Sequence, residues 1–405
     1  MGEGGRFMNH INITSGSQCI GCTACEAVCP VGAIMFKEDP LGFKVPVVDE
    51  SKCIDCGACL RVHKGVCETP KSNPVSSYAA RVDSKAMGSS SGGVSAALAE
   101  KFHPGYVFGA VMDLDGNVFH IECGPDIIGI ANLERIRGSK YAQSDISSSL
   151  PRIRELLKAG EKVLFTGTPC QVHGLKTYLK YTGTDMENLL TVDIVCHGVP
   201  SSKMLSDYLR HIEGLFPGMI LEKFTFRDKN LGWGKNGSAY LASKREDGDD
   251  VHLKLWESSE SYLYYFGRAS LCRDCCYECR FTSVNARPAD ITLGDFWGIE
   301  SQHPSFDIKD GVSAVICNTE KGEKAFKELD CEFIKSSAEK IAEKNAQLQK
   351  PSVCKDPEIK EIYKKDGWEG VEKAFQEVSW IKRHKSQLKA LLPKWLKYKL
   401  KAAKN

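Results

Sequence analysis

The segment CIGCTACEAVCP, residues 19–30, decides how the N-terminal part of the chain folds. Its first three cysteines are separated by two residues each, a fourth follows after three more, and Pro30 comes directly after it. Three thiolates at this spacing hold three irons of a [4Fe–4S] cluster, and the fourth cysteine ligates a second cluster. Zinc is a weaker interpretation, because structural zinc sites usually combine two Cys-x2-Cys pairs that lie far apart.

A second run, CIDCGAC over residues 53–59, repeats the first three positions of this pattern. Its fourth cysteine comes late, at Cys67, and no proline follows it directly. No other cysteine occurs before Cys123, so Cys67 is the remaining candidate. In such modules the two runs exchange their fourth ligands. The sequence therefore predicts two clusters, one on Cys19, Cys22, Cys25 and Cys67, and the other on Cys53, Cys56, Cys59 and Cys29.

The composition is that of an ordinary globular protein. The 405 residues are 42% hydrophobic with a net charge of +2, and no apolar run reaches the about 18 residues that span a membrane. The N-terminus MGEGGRFMNHINITSGSQ lacks the apolar core of a secretory signal, which predicts a cytoplasmic location. Because cytosolic thiols are kept reduced, the 18 cysteines are better explained as metal ligands than as disulfides.

The pattern of apolar residues changes along the chain. Residues 10–75 contain the two cysteine runs, and residues 80–330 alternate strand-like and helical stretches, which favours a mixed α/β domain with a partly parallel sheet. Residues 336–405 are rich in Lys and Glu and are predicted to be helical. The predicted fold class therefore combines α+β and α/β: a bacterial-type ferredoxin module, a mixed α/β domain and C-terminal helices.

Individual elements of the α/β region follow from the same periodicity. The predicted strands are Gly105–Met112, Lys162–Thr168, Leu189–Cys196, Ile291–Phe296 and Ser313–Asn318. The predicted helices are Val94–Phe102, Ile146–Ala159, Val172–Tyr181 and Lys203–Gly214.

Further cysteines fall at positions where an α/β sheet binds ligands. Cys170 and Cys196 follow the predicted carboxyl ends of two strands, and the segment CRDCCYEC, residues 272–279, precedes another. A third [4Fe–4S] site would take its ligands from Cys170, Cys196, Cys276 and Cys279. Two other interpretations stay open: Cys170 and Cys196 as small buried apolar side chains, and a zinc site at CRDCCYEC.

Three polar turns are candidates for a phosphate-bearing cofactor. SSSGG, residues 89–93, opens a predicted helix, whose N-terminus attracts phosphate and whose glycines permit close approach. The alternative is a serine N-cap on a flexible turn. The loop RGSKYAQSD, residues 137–145, concentrates a cation, a phenol and hydroxyl or amide donors that suit a pyrophosphate or a flavin edge. GTPCQ, residues 167–171, is a tight strand-to-helix turn.

Taken together, SSSGGV, VFGAVMD, GSKYAQSD, VLFTGTPCQVHGL, DIVCHGVPS and CCYEC…ADITLGDFWG resemble the coenzyme F-420 hydrogenase/dehydrogenase beta-subunit family. The resemblance covers roughly residues 15–320, including a fused ferredoxin module. It implies a flavin-binding region at 80–155, a C-terminal α/β domain at 156–330, and the same four ligands for a third cluster. The FAD contacts it implies are Ser89, Ser90, Ser91, Gly92, Gly93, Ser139, Lys140, Tyr141, Gln143, Ser144, Gly167, Thr168, Pro169 and Gln171.

The expected function is that of an iron–sulfur flavoprotein oxidoreductase. FAD accepts an electron pair from a hydride donor, a deazaflavin such as F-420 or a similar compound, and releases electrons singly to clusters. The expected partners are that hydride donor and a redox partner protein or complex. One alternative is a flavin-dependent reductase of an organic substrate in polysaccharide biosynthesis, and another is a flavin-free electron relay. No Ser/His/Asp constellation stands out, so no catalytic residue is assigned.

The C-terminal segment WIKRHKSQLKALLPKWLKYKLKAAKN, residues 380–405, differs from the rest of the chain. It carries nine Lys or Arg and no acid, so the remainder is net acidic and nucleic acid is not an expected partner. Cations alternate with apolar residues that include Trp380 and Trp395, as in interfacial helices, although Pro393 is expected to kink the segment. This pattern predicts peripheral contact with the anionic inner face of a membrane. The alternative is packing against the acidic body of the same chain.

Overall fold

A computed structural model describes residues 10–11, 19–86, 88–215, 219–227, 229, 232–233, 238–245, 250–256 and 258–384. Its N-terminal part contains α1 (Ala24–Ala27), β1 (Ile34–Glu38), β2 (Lys44–Val48) and α2 (Ala58–Val66). The strands β1 and β2 pair antiparallel. Each cysteine run enters a short helix, and Gly57, the N-cap of α2, has the left-handed φ of 69° that glycine adopts without strain.

The remainder of the chain is built around one large mixed sheet. The strands that follow are β3 (Ser76–Arg81), β4 (Tyr106–Met112), β5 (Val118–Cys123), β6 (Val163–Gly167), β7 (Leu189–Ile194), β8 (Met219–Thr225), β9 (Ser238–Arg245), β10 (Asp250–Trp256), β11 (Ile291–Asp295), β12 (Ser313–Cys317) and β13 (Glu332–Ser336). The large sheet has eight strands in the order β13-β3-β12-β11-β7-β6-β4-β5, while β8, β9 and β10 form a separate antiparallel sheet. The central strands β4, β6, β7 and β11 run parallel, and the flanking strands are antiparallel.

Helices cover both faces of this sheet. They are α3 (Asp83–Ala86), α4 (Val94–Phe102), α5 (Ile127–Arg135), α6 (Ser149–Lys158), α7 (Pro169–Tyr181), α8 (Ser202–Gly214), α9 (Ser261–Gly267), α10 (Ile299–Gln302), α11 (Glu320–Lys327), α12 (Ala338–Lys344) and α13 (Glu358–Glu377). One apolar core joins α6 and α7 to the sheet and also takes in Cys22 and Val62 of the ferredoxin module. The helix α7 therefore lies between the sheet and both helices of that module.

The predicted fold class is confirmed, and so are the predicted strands and helices, with ends that shift by a few residues. The helix α7 begins earlier than predicted, at Pro169, because proline suits the first position of a helix. The Gln171 side chain also accepts a hydrogen bond from the Thr168 N–H at 3.0 Å, which closes the first turn. The sheet takes strands from both sides of the predicted boundary between residues 155 and 156.

Of the region 336–405 that was predicted to be helical, the described part up to residue 384 contains α12 and α13, and α13 packs against α8 and α9. Of the predicted membrane-contacting segment, only residues 380–384 are described, and there Trp380 and Ile381 are exposed. The other apolar residues of that prediction, including Trp395, lie outside the described residues, as does Pro393. Among the helices described, none is both long and apolar enough to cross a membrane.

Candidate functional site

The first cysteine run lines a small cavity in the ferredoxin module. Cys19, Cys22 and Cys25 are buried there, and the Gly21 N–H donates to the Cys19 Sγ at 3.4 Å. Burial raises the pKa of Cys22 to about 12, so a free thiol at this position stays protonated. The apolar wall comes from Ile20, Phe36, Val62 and Val66, together with His63.

The second cavity collects the cysteines of the second run and one from the first. Cys29, Cys53, Cys56 and Cys59 all line it. Backbone N–H groups point at two of the sulfurs, since Ile11 donates to the Cys59 Sγ and Ala33 donates to the Cys29 Sγ, each at 3.2 Å. Four thiols with amide donors are the ligand set that a [4Fe–4S] cluster takes.

The predicted eighth ligand of the module, Cys67, lies just beyond α2 and close to His63. It caps the C-terminus of α2 and is exposed. Its Sγ lies 3.5 Å from the His63 Nε2, and its carbonyl accepts a hydrogen bond from Arg280. The residues that line the first cavity include His63 but not Cys67.

A third group of cysteines meets at the edge of the large sheet. Cys170 lies in the first turn of α7 and Cys196 follows β7. Cys276 lies in a 3-10 helix over Asp274–Glu278, and Cys279 caps that helix. Within the part of the chain that the structure describes, no three His, Cys, Asp or Glu side chains converge on a single-ion site.

The Cys170 thiol is buried and interacts electrostatically with the other three thiols of this group. Burial raises its pKa well above the ordinary value, and negative charge on Cys196 raises it further. Charges on Cys276 and Cys279 act in the same direction, and charges on the same two cysteines also raise the pKa of Cys196. The Gly198 N–H donates to the Cys196 Sγ at 3.4 Å, which repeats the amide-to-sulfur contacts of the ferredoxin module.

A pocket of about 580 Å³ adjoins this third group. It lies at the carboxyl ends of the parallel strands β6, β7 and β11, where open α/β sheets bind ligands. Its volume falls within the range of small-molecule and cofactor sites. Cys196 lines the pocket directly, and so does Thr168, whose Oγ1 lies 3.1 Å from the Cys170 Sγ. The pocket and the third cysteine group therefore share a wall.

Most of the residues predicted to contact a flavin line this pocket. They are Ser89, Ser90, Ser91, Gly93, Ser139, Lys140, Tyr141, Ser144, Gly167, Thr168 and Gln171. Two of the predicted turns meet there, since the Ser139 hydroxyl donates to the Ser90 hydroxyl at 2.7 Å. The N-cap of α4 is Gly93, with a φ of 86° and no side-chain cap, rather than a serine.

Three residues of the same prediction do not line the pocket. Gly92 packs on the sheet, where a Cβ would lie 2.5 Å from the Ala80 carbonyl oxygen. Gln143 turns toward the ferredoxin module and donates to the Ile20 carbonyl at 2.9 Å. Pro169 is buried at the start of α7.

The pocket also contains groups that the sequence did not single out. His120 of β5 is buried there, with its Nε2 2.7 Å from the Thr166 carbonyl oxygen and its ring stacked on Phe165. Among the described residues its Nδ1 has no hydrogen-bond partner. Burial lowers the pKa of His120 to about 4, so the ring is neutral near pH 7. Nε2 then donates to Thr166, and Nδ1 is left as a free acceptor.

Cations stand at two other positions of the pocket wall. Lys140 donates to the carbonyls of Arg135, Arg137 and Gly138, and burial lowers its pKa to about 7. Arg227 pairs with Asp295 at 3.0 Å and lies over the Trp297 ring. Arg227 belongs to no motif that the sequence pattern marks, whereas Trp297 lies in the segment ADITLGDFWG.

Three groups of cysteines beside a ligand-sized pocket are the features of an iron–sulfur oxidoreductase, and comparison with known proteins supports this class. Residues 18–62 match the 4Fe-4S dicluster domain. Residues 160–340 match the family described as the C terminus of the beta subunit of coenzyme F420 hydrogenase/dehydrogenase. Residues 160–340 therefore belong to this beta-subunit family, and a dicluster domain precedes them at the N-terminus.

Individual relatives are distant in sequence. The F subunit of F(420)H(2) dehydrogenase from Methanosarcina mazei is 26% identical over 329 residues, which cover 76% of this chain and 81% of that protein. Coenzyme F420-dependent sulfite reductase of Methanocaldococcus jannaschii is 27% identical over 325 residues, covering 77% of this chain but only 46% of that protein. A chain from a structure of the F420-reducing [NiFe] hydrogenase complex of Methanosarcina barkeri is similar with a TM-score of 0.41. It is 18% identical, and the match covers 76% of this chain and 91% of that chain.

Proposed function

We propose that this chain is a flavin-dependent iron–sulfur oxidoreductase subunit that exchanges electrons between a deazaflavin of the F420 type and a protein partner. The observation that carries the proposal is the shared wall between the pocket and the third cysteine group, formed by Cys196 and Thr168. The names of two relatives, a dehydrogenase subunit and a sulfite reductase, both include F420. A binding pocket beside cluster ligands suits a protein that couples a two-electron donor to one-electron carriers.

The cysteines divide into three ligand groups. Cys53, Cys56, Cys59 and Cys29 would hold one [4Fe–4S] cluster, and Cys19, Cys22 and Cys25 would supply three ligands of another. Cys170, Cys196, Cys276 and Cys279 would hold the third. The thiol donors, the buried surroundings and the amide-to-sulfur hydrogen bonds fit this type of cluster.

The pocket would hold FAD, which converts a hydride into electrons that leave one at a time. The chain's own groups would position it. The hydroxyls of Ser90 and Ser139 face one another across the pocket wall and can turn toward phosphate oxygens. Lys140 lines the pocket at that side and is partly protonated near pH 7, because burial lowers its pKa to about 7.

His120 and the residues around it would bind the other part of the ligand. Because Thr166 fixes the tautomer, the His120 Nδ1 accepts a hydrogen bond from an N–H or O–H of the bound molecule. Phe266 stacks on Tyr141 with ring centroids 4.5 Å apart, which gives the pocket a flat aromatic wall. Such a wall suits a planar ring system.

The arrangement along α7 connects the sites. Cys170 and Gly174 lie one turn apart on the same face of that helix. A Cβ at Gly174 would lie 2.9 Å from the Cys22 Sγ. Cys170 of the third group thus lies one helical turn from the contact with Cys22 and beside a wall of the pocket, which supports an electron path from the pocket to the module.

The test is an anaerobic assay of the reconstituted full chain for deazaflavin reduction with a viologen as the one-electron donor. We expect reduction of F420 that requires bound flavin. His120→Phe keeps the stacked ring but removes the free acceptor, and should weaken flavin binding by about 1–3 kcal/mol, or roughly 5- to 150-fold.

The matched control is His303→Phe, because His303 also contacts a phenylalanine ring, that of Phe296, but does not line the pocket. Equal flavin affinity in the two variants would contradict the position assigned to the flavin. Reduction of F420 by protein that contains no flavin would indicate a flavin-free electron relay. Bound flavin without F420 turnover would favour a reductase of another substrate.

A further inference from the structure

The second cysteine run has a histidine where the first has its fourth cysteine. In the first run Cys29 follows Cys25 by four positions, and in the second run His63 follows Cys59 by four positions. Cys67 follows four positions later still. In two-cluster modules the residue at this fourth position ligates the cluster held by the other run. By spacing alone, His63 is the counterpart of Cys29.

In the structure His63, like Cys29, lines the cavity of the other cysteine run. Cys25 lines the first cavity, and Cys29, from the same run, lines the second. Conversely, Cys59 lines the second cavity, and His63, one turn further along α2, lines the first. Each of the two cysteine runs thus places one residue at the cavity of the other run.

The position of Cys67 differs from that of the three cysteines that line the first cavity. It is the exposed residue just beyond α2, whereas Cys19, Cys22 and Cys25 are buried. His63 is half-buried and stands beside it, with its Nε2 3.5 Å from the Cys67 Sγ. The imidazole, rather than the Cys67 thiol, lines the cavity wall.

We propose that the first [4Fe–4S] cluster takes Cys19, Cys22, Cys25 and the imidazole of His63 as its four ligands, with Cys67 left as a free thiol. This rests on the proposed function, because it requires that the module holds clusters. A neutral imidazole in place of a thiolate lowers the negative charge of the site and raises its reduction potential, as histidine ligation does in other iron–sulfur centres. The two clusters of the module would then differ in potential.

The first experiment asks whether Cys67 is free in the loaded protein. Anaerobically reconstituted full-length chain is treated with iodoacetamide under conditions that preserve its visible absorbance, and modified cysteines are located by mass spectrometry. We expect rapid alkylation of Cys67 with no loss of iron. Protection of Cys67 until the clusters are broken down would overturn the proposal.

The second experiment compares ligand variants by EPR. Cys67→Ser should keep the iron and sulfide content of the unmodified protein. His63→Ala should lose one iron from the first cluster and show the signal of an oxidised three-iron centre. His63→Cys should restore the four-iron cluster, and pulsed EPR should detect nitrogen coupling in the unmodified protein but not in this variant.

The outcomes separate the two proposals. A three-iron signal in Cys67→Ser would contradict His63 ligation. So would a complete four-iron cluster in His63→Ala together with no nitrogen coupling in the unmodified protein. Either result would leave the proposed function intact. A full chain that binds no iron and sulfide at all would contradict both. Circular dichroism of His63→Ala checks that the variant folds, and His63→Cys and Cys67→Ser decide the matter if it does not.

Discussion

Gly174 of α7 lies directly against Cys22 of the ferredoxin module. A Cβ at Gly174 would approach the Cys22 Sγ to 2.9 Å and its Cβ more closely still. One turn earlier, the same helix carries Cys170 of the third cysteine group. The absence of a side chain at this one position lets the first cysteine loop dock on the helix that also borders the pocket.

Gly174→Ala should therefore disturb the first cluster site. The added methyl group must displace the cysteine loop or strain the helix, and such overpacking typically costs about 1–3 kcal/mol. We expect a lower unfolding temperature and reduced iron and sulfide content. Gly214→Ala is the control, because it adds the same methyl group to a helix with no atom within 4 Å of the new Cβ. Equal iron content in the two variants would show that the loop does not dock closely.

Arg273 holds the module in place from the other side. Its guanidinium donates to the carbonyl of Cys19 at 2.6 Å and to the Gln143 Oε1 and the carbonyl of Lys44, each at 2.8 Å. Arg273→Met leaves buried acceptors unpaired, each costing about 1–3 kcal/mol. Denaturant unfolding should show this loss, whereas Arg210→Met, at an exposed arginine, should stay within about 0.5 kcal/mol of the unmodified protein. A similar small effect for both would refute the role of Arg273.

The third cluster is tested in the full chain. A shortened chain starting at Arg81 would lack most of β3, which pairs with both β12 and β13 inside the large sheet. Cys170→Ser and Cys276→Ser should instead each lower the content by about four irons per chain. Cys331→Ser, at a cysteine outside the three groups, should leave it unchanged. Unchanged iron in Cys170→Ser would mean that these thiols are structural.

The buried His120 predicts a pH dependence of stability. Burial lowers its pKa from 6.5 to about 4, so between these values the unfolded chain binds a proton that the folded chain does not. The free energy of unfolding should fall as the pH drops through this window, by up to about 3 kcal/mol from this group. Above pH 6.5 the effect is absent.

Urea unfolding between pH 4 and 7 measures this slope. His120→Phe should reduce the pH dependence of the free energy of unfolding. His303→Phe changes a less buried histidine outside the pocket and should keep most of that pH dependence. Identical slopes for His120→Phe and the unmodified protein would show that the ring is already charged in the folded state.

Local patterns explain why much of the fold was predictable. The parallel strands read as apolar runs, and the cysteine runs fix their own loops by spacing alone. The strand β3 was not predicted, because SSYAAR forms a strand through pairing with β12 and β13, which lie far away in the sequence. Its burial comes from those partners rather than from its own hydrophobicity.

In the candidate site, too, the residues in marked local motifs were predictable and those that depend on distant partners were not. The turns at residues 89–93 and 139–144 were noticeable from their polar composition, and most of their residues line the pocket. His120 could not be predicted from the sequence, because its hydrogen bond to Thr166 and its stacking on Phe165 both involve another strand. Gln143 belongs to a predicted turn but contacts Ile20 and Arg273 instead. Composition marks a polar loop but does not determine which way each side chain turns.

The most direct test of the central claim is a cofactor count on anaerobically reconstituted full-length protein. Iron, labile sulfide and extracted flavin are measured on one sample of known protein concentration. Three [4Fe–4S] clusters and one flavin predict about twelve iron, about twelve sulfide and about one FAD per chain. Iron and sulfide at that level with no flavin, or zinc in place of iron, would contradict it.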